Sequence, residues 1–174
     1  IPLFNVAAAA GAARCLRMKG LLGRLASLAL LGLGLGTVAA HAVFAAASAS
    51  NYAGGVALDG LHMLEAAQGA DSKQLSVHIG NLAAISGVSR FLEANAGHWQ
   101  YSKREGLSQT ALPLEGYDRL VTEWPEVDGY VCLGQALGFE RLQLQKKPYP
   151  FPLLVKKPTV FVLAKAANGT TVPC

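Results

Sequence analysis

"LSVHIGNLAAISGVSRFLEAN", Leu75 to Asn95, decides how the folded part of this chain is read. Leu75, Val77 and Ile79 alternate with Ser76 and His78, the period of a half-buried strand. Asn81 is a residue type that caps helices. The spacing after it predicts a helix to about Glu93, with Val88, Phe91 and Leu92 inward. Outward from this βα unit, "SNYAGG" (Ser50–Gly55) reads as a turn, its glycines allowing angles other residues avoid. "GVALDGLHMLEAA" (Gly55–Ala67) reads as a short helix and Gly69–Lys73 as a loop. Downstream, "HWQYSKRE" reads as a strand with Trp99 and Tyr101 on one face. "LEGYDRLVTEWPEV" reads as a short helix ended near Pro125. "YVCLGQALGFERLQL" and "FPLLVKKPTVFVLAK" read as strands interrupted by Gly and Pro, joined by the extended, proline-rich "QKKPYPFP". The sum is a small α+β domain over residues 48–174.

Upstream the composition changes. Charged residues make up only 15% of the chain, against about 25% in ordinary soluble domains. The deficit is local: no Asp, Glu, Lys or Arg occurs from Leu25 to Leu58. Leu25–Ala47 is almost wholly apolar, and as a helix of about 34 Å it would cross a bilayer core. Arg14, Arg17, Lys19 and Arg24 precede it with no acid, so the whole net charge of +4 lies there. Residues 59–174 are balanced, which excludes the basic face that nucleic acid requires. The positive-inside rule puts residues 1–24 on the cytoplasmic side and everything after Ala47 on the far side. Residues 1–24 read as the end of a preceding apolar element and a basic turn, and 25–47 as a last transmembrane helix. Gly32 and Gly36 share a face, which suits close helix packing. His41 within the span needs a protein or water partner. The rival reading is a secretory signal starting at Met18, with small-residue cleavage sites in "AVFAAASAS". It would make the chain a small secreted or anchored binding module.

Cys132 and Cys174 fall on the oxidising side, where they either pair or stay free thiols. No His, Cys and acid spacing makes a metal set. A Ser89/His62/Asp59 hydrolase lacks the Gly-x-Ser-x-Gly elbow. A nucleotide site lacks Gly-x-Gly-x-x-Gly. Three residues remain as candidates for binding substrate. His62 either contacts a sugar hydroxyl or is structural, bonded within the turn at 51–55. His78 either faces a ligand or points outward or toward the membrane part. Arg90 either holds a phosphate or pairs with Glu93 or another acid. Asn168-Gly169-Thr170 is a glycosylation sequon, usable only on the luminal side.

Taken together, "NYAGGVALDGLH", "VHIGNLAAISGVSRFLEAN" and "WQYSKRE" resemble the C-terminal region of the dolichyl-phosphate-mannose-dependent alpha-1,6-mannosyltransferases of the endoplasmic reticulum. The matching positions are Asn51, Tyr52, Gly54 and Gly55, then Leu61 and His62, then His78 and Ile79. They continue through Gly87–Leu92 to Asn95, Trp99, Tyr101, Lys103, Arg104 and Glu105. The likeness is good over about residues 2–105 and loose beyond. Ala53 stands where that pattern has Pro, and Gly80 where it has Asp.

The resemblance implies a GT-C glycosyltransferase, a multi-pass enzyme of the endoplasmic reticulum membrane with a luminal C-terminal domain. It would move mannose from dolichyl phosphate mannose to the dolichol-linked oligosaccharide used for N-glycosylation, with no cofactor. It also implies that the catalytic carboxylate lies in a luminal loop upstream of this chain. Residues 1–174 alone are then expected to be inactive.

Overall fold

The computed structural model describes residues 2–69, 73–147 and 151–174. The chain forms two compact units, Ile1–Ala45 and Ala46–Cys174. The first holds helix α1 (Pro2–Arg17) and most of helix α2 (Gly20–Ala49). Helix α2 is long and apolar enough to cross a membrane. Its polar side chains turn back onto its own backbone. Ser27 Oγ donates to Gly23 O at 2.9 Å, Thr37 Oγ1 donates to Leu33 O at 2.7 Å, and His41 Nδ1 meets Thr37 O at 2.7 Å. His41 thus has a partner within the helix itself, which lowers the cost of a polar ring in an apolar span.

The second unit is a five-stranded mixed sheet with the order β2-β1-β3-β5-β4. Helix α3 (Ala53–Ala67) is followed by β1 (Leu75–Ile79), α4 (Asn81–Ile85) and a 3-10 turn at Arg90–Leu92. Then come β2 (Trp99–Ser102), α5 (Leu112–Glu115), β3 (Arg119–Thr122), β4 (Tyr130–Gln145) and β5 (Phe151–Lys165). β1 pairs in parallel with both β2 and β3, and β5 is antiparallel to β3 and β4.

Both faces of the sheet are covered. On one, Ala57, Leu58 and Leu61 of α3 pack with Val77, Ile79, Trp99, Val121, Val160 and Val162. On the other, Leu112 of α5 packs with Leu120, Tyr130, Phe161 and Leu163. The last residues close the second face. Cys132 N donates to Val172 O at 3.0 Å, and Cys132 and Cys174 form a disulfide across a sequence separation of 42. A crosslink of that loop length is worth roughly 4 kcal/mol in the chain-entropy account. Cys15 is free.

Several expectations are corrected. The helix from Asn81 to Glu93 is only α4 and a separate 3-10 turn. Gly87 at φ +107° breaks it, a conformation only Gly takes readily, and Ser86 Oγ bonds back to Leu82 O at 2.6 Å. Val88 is buried as expected, but Phe91 is fully exposed and Leu92 is exposed at 37%. Asn81 is not the cap: Gly80, in extended backbone, holds that place without a side-chain bond. The helix expected over 114–127 is α5 followed by β3. Gly116 adopts the left-handed conformation that ends a helix, and Leu120 and Val121 are buried on opposite faces. The turn expected at 50–55 ends at Tyr52, because Ala53, Gly54 and Gly55 are already helical.

β4 and β5 are continuous rather than interrupted. The irregularities between Cys132 and Gly134, Ala136 and Leu137, and Phe139 and Arg141 are absorbed as bulges. β5 pairs with β3 only over Phe161–Ala164, so its earlier residues have one free edge. That edge is where Pro152 and Pro158 are tolerated. The middle of the proline-rich linker (148–150) and of the loop at 69–73 (70–72) lies outside the described residues.

Candidate functional site

The parallel trio β2-β1-β3 brings three carboxyl-terminal strand ends to one edge of the sheet. Open sheets bind ligands at such edges. His78 is the penultimate residue of β1, in register with Ser102 and Leu120. Its neighbours Val77 and Ile79 face α3, so its ring lies on the α5 face. There it stacks on Tyr117, ring centroids 5.1 Å apart at 29°. It is buried, at 3% exposure. Burial lowers its pKa, and the opposing charges of Glu123 and Glu115 do not outweigh that. The ring is therefore neutral at pH 7. Its Nδ1 is sealed from solvent and bonds to nothing among the described residues.

Glu123 follows the end of β3 and lines the same small cavity, of ≈ 10 Å³, with His78, Gly80, Arg104, Thr122 and Trp124. Its Oε2 is also sealed and without a partner among the described residues. An atom of this kind costs about 1–3 kcal/mol if nothing meets it. Gly80 leaves room for that carboxylate: a Cβ there would stand 2.6 Å from Glu123 Oε2. This is the position where the resembled pattern has Asp.

His62 projects from α3 toward the opposite face. Its Nε2 lies 2.8 Å from Tyr101 Oη, and its ring packs against Trp99 with centroids 5.1 Å apart. Tyr101 Oη also accepts from Asn95 N at 3.3 Å. Burial raises its pKa, as does Glu93, while the bond from Asn95 opposes them. His62 thus ties α3 to β2. Arg90 is exposed in the 3-10 turn and makes no ion pair among the described residues. The expected Arg90–Glu93 pair is absent, because Glu93 pairs with Lys103 at 3.2 Å. The structure does not bring the three candidates together, since His62 and His78 lie on opposite faces of the sheet.

Glu123 and Trp124 lie in a segment whose spacing reads as helix, so the sequence alone does not single them out. The signal available was a strand-forming "RLVT" ending on an acid and an aromatic residue. Asn168 is exposed just after β5. Among the described residues, no group of three or more His, Cys, Asp and Glu could hold a metal.

No family model matches the chain, and no solved structure does. Two curated proteins do match. A protein of Arabidopsis thaliana named Dol-P-Man:Man(7)GlcNAc(2)-PP-Dol alpha-1,6-mannosyltransferase is 34% identical over 163 residues, which cover 93% of this chain and 32% of that protein. A Drosophila melanogaster protein of the same name is 50% identical over 76 residues, 44% of this chain and 10% of that protein. The chain thus spans about a third of the length of the first. It is homologous, over 93% of its length to the first and 44% to the second, to proteins named Dol-P-Man:Man(7)GlcNAc(2)-PP-Dol alpha-1,6-mannosyltransferase.

Proposed function

We propose that this chain is part of a mannosyltransferase that moves mannose from dolichyl phosphate mannose to a dolichol-linked oligosaccharide in alpha-1,6 linkage. The observation that carries the reading is the 34% identity that runs through 93% of the chain. In the transfer, the acceptor hydroxyl oxygen attacks the anomeric carbon of the donor. The bond to phosphate breaks and dolichyl phosphate leaves. A carboxylate takes the hydroxyl proton. We assign that carboxylate to a part of the protein outside residues 1–174, and this chain alone to the inactive state.

We further propose that the protein is a multi-pass protein of the endoplasmic reticulum membrane, with α2 spanning it and Ala46–Cys174 on the luminal side. The one-sided basic charge before α2 supports this orientation. So do the Cys132–Cys174 disulfide, which suits an oxidising compartment, and the exposed sequon at Asn168. Both matched proteins are transferases by name, and nothing favours a secreted binding module starting at Met18.

The test is a transfer assay with the protein from the complete reading frame that contains this chain. Microsomes from cells lacking this transferase are supplied with it and with radiolabelled dolichyl phosphate mannose. The expected product is an oligosaccharide longer by one mannose, removed by an alpha-1,6-specific mannosidase. Failure to extend the acceptor, or a different linkage, contradicts the assignment.

A further inference from the structure

We propose that the overhanging ribbon of β4 and β5 docks on a bilayer surface that contains acidic phospholipid, with its leucines in the headgroup region and its lysines on the phosphates. From Leu137 and Pro158 outward the two strands run past the rest of the sheet. β5 pairs with β3 only over Phe161–Ala164, so over Phe139–Gln145 and Phe151–Lys156 each strand has the other as its partner. A two-stranded ribbon is at best marginally stable by itself in water, so a further surface is called for.

The register sorts the side chains. Leu142 stands across from Leu154, and Leu144 across from Pro152, so these four share one face. Leu153 lies on the other face, across from Gln143. Leu142, Leu144 and Leu153 are all exposed, and a contiguous exposed apolar patch marks a contact surface. Charge is sorted as well. Residues 139–157 carry five basic residues, Arg141, Lys146, Lys147, Lys156 and Lys157, against one acid, Glu140. The overall balance of residues 59–174 conceals this, because the surplus acid lies elsewhere in the unit. Lys156 and Lys157 stand at the sheet end of the apolar face, and Lys146 and Lys147 follow β4 at its other end, all four exposed.

Apolar side chains framed by long cations match the boundary between lipid phosphates and acyl chains. Nucleic acid would meet the lysines and leave the leucine face in water. A protein strand added to the free edge of β5 would face Pro152 and Pro158, which offer no N–H. The place where the ribbon starts agrees. Phe139 N donates to Ser50 O at 3.1 Å, and Ser50 follows the last residue of α2 within the same compact unit. With α2 spanning a bilayer, the overhang begins at its surface. Only this placement rests on the proposed span of α2; the apolar face and the charge stand without it.

The test uses the full chain with Cys15→Ser and the disulfide intact, in phosphatidylcholine vesicles with and without phosphatidylserine. A fluorophore is attached at Gln143→Cys on the ribbon or at Leu33→Cys in α2, and is quenched by spin-labelled lipid. Quenching of the ribbon label is expected at headgroup depth, stronger with phosphatidylserine. Each Lys or Arg near an anionic surface favours the docked state by about fivefold. Lys146→Gln, Lys147→Gln, Lys156→Gln and Lys157→Gln together should therefore lower the docked-to-free ratio by more than about tenfold. Leu142→Ser with Leu153→Ser should lower it too. An unchanged near-UV circular dichroism spectrum shows that each variant folds.

Quenching in α2 without quenching at the ribbon overturns the docking and leaves the span standing. Quenching at the ribbon alone upholds the docking and counts against the span. Quenching at neither overturns both. A ribbon signal indifferent to both sets of replacements overturns the proposal. So does a ribbon label shielded from iodide yet untouched by spin-labelled lipid, which points to a second copy of the chain as the cover.

Discussion

Arg119→Met is expected to lower the stability of the Ala46–Cys174 unit by about 3–5 kcal/mol. Arg119 Nε donates to Glu65 Oε1 at 2.5 Å, from a side chain only 18% exposed to one only 1% exposed. Glu65 ends the buried face of α3, and Arg119 opens β3, so the pair pins the helix across the sheet. Methionine fills the space of the arginine stem but leaves a carboxylate with neither solvent nor counter-ion. The cost is set by that stranded charge rather than by the lost attraction. The double variant Glu65→Leu/Arg119→Met removes both charges, and should recover most of the loss because an apolar pair of similar volume is often as stable as a buried ion pair. Thermal or urea unfolding of the full chain in micelles measures both. A loss below about 1 kcal/mol in the single variant, or an equal loss in the double, contradicts the account.

Gly54→Ala is the second large effect, and its sign is the informative part. Gly54 lies in the first turn of α3, and intrinsic preference favours Ala over Gly in a helix by about 1 kcal/mol. Packing opposes this. A Cβ at Gly54 would clash with Ala83 O and stand 2.7 Å from both Ala83 Cα and Ser86 Oγ. Gly54 N also donates to Ser86 Oγ at 3.0 Å, and Gly55 N to Ser86 O at 3.2 Å. The obstacle is mainly backbone, which cannot swing aside. A net loss of about 2–3 kcal/mol is expected, in the range for overpacked sites. Gly60 in the same helix has nothing within 4 Å of its would-be Cβ, so Gly60→Ala should stabilise by up to about 1 kcal/mol. Two substitutions of one chemistry in one helix should therefore move the unfolding midpoint in opposite directions. Like signs would mean that the close approach of α3 to α4 does not control stability.

The pair of glycines also shows what was legible in the chain and what was not. "NYAGG" was recognisable as a motif, but its reason was misjudged. Neither Gly54 nor Gly55 has a positive φ; Gly54 lets α3 touch α4, and Gly55 lies against Gly87 and Leu92. β1 and β2 were readable because each has one face built of large apolar residues, Val77 and Ile79 on one and Trp99 and Tyr101 on the other. β3 was not, because Leu120 and Val121 are buried on opposite faces and a strand covered on both sides loses its alternation. The break at Gly87 was hidden by Val88, Phe91 and Leu92, which keep helical spacing although Phe91 packs on nothing.

The candidate site was legible by half. His78 could be singled out as a polar residue in an apolar strand. Glu123 could not, since it comes to the same edge as His78 only through the parallel pairing of β1 with β3. The disulfide is similar: Cys132 and Cys174 meet because the chain end pairs with β4, and no spacing rule reports that.

The central claim is that the Ala46–Cys174 unit is a working part of an alpha-1,6-mannosyltransferase. The most direct measurement is the profile of dolichol-linked oligosaccharides in cells lacking that transferase, rescued with the complete reading frame or with the same frame stopped after Ser50. The account predicts that the complete frame restores extension past the seven-mannose species named in the relatives, and that the shortened protein, present in the membrane at equal level, does not. Equal extension by both would contradict it.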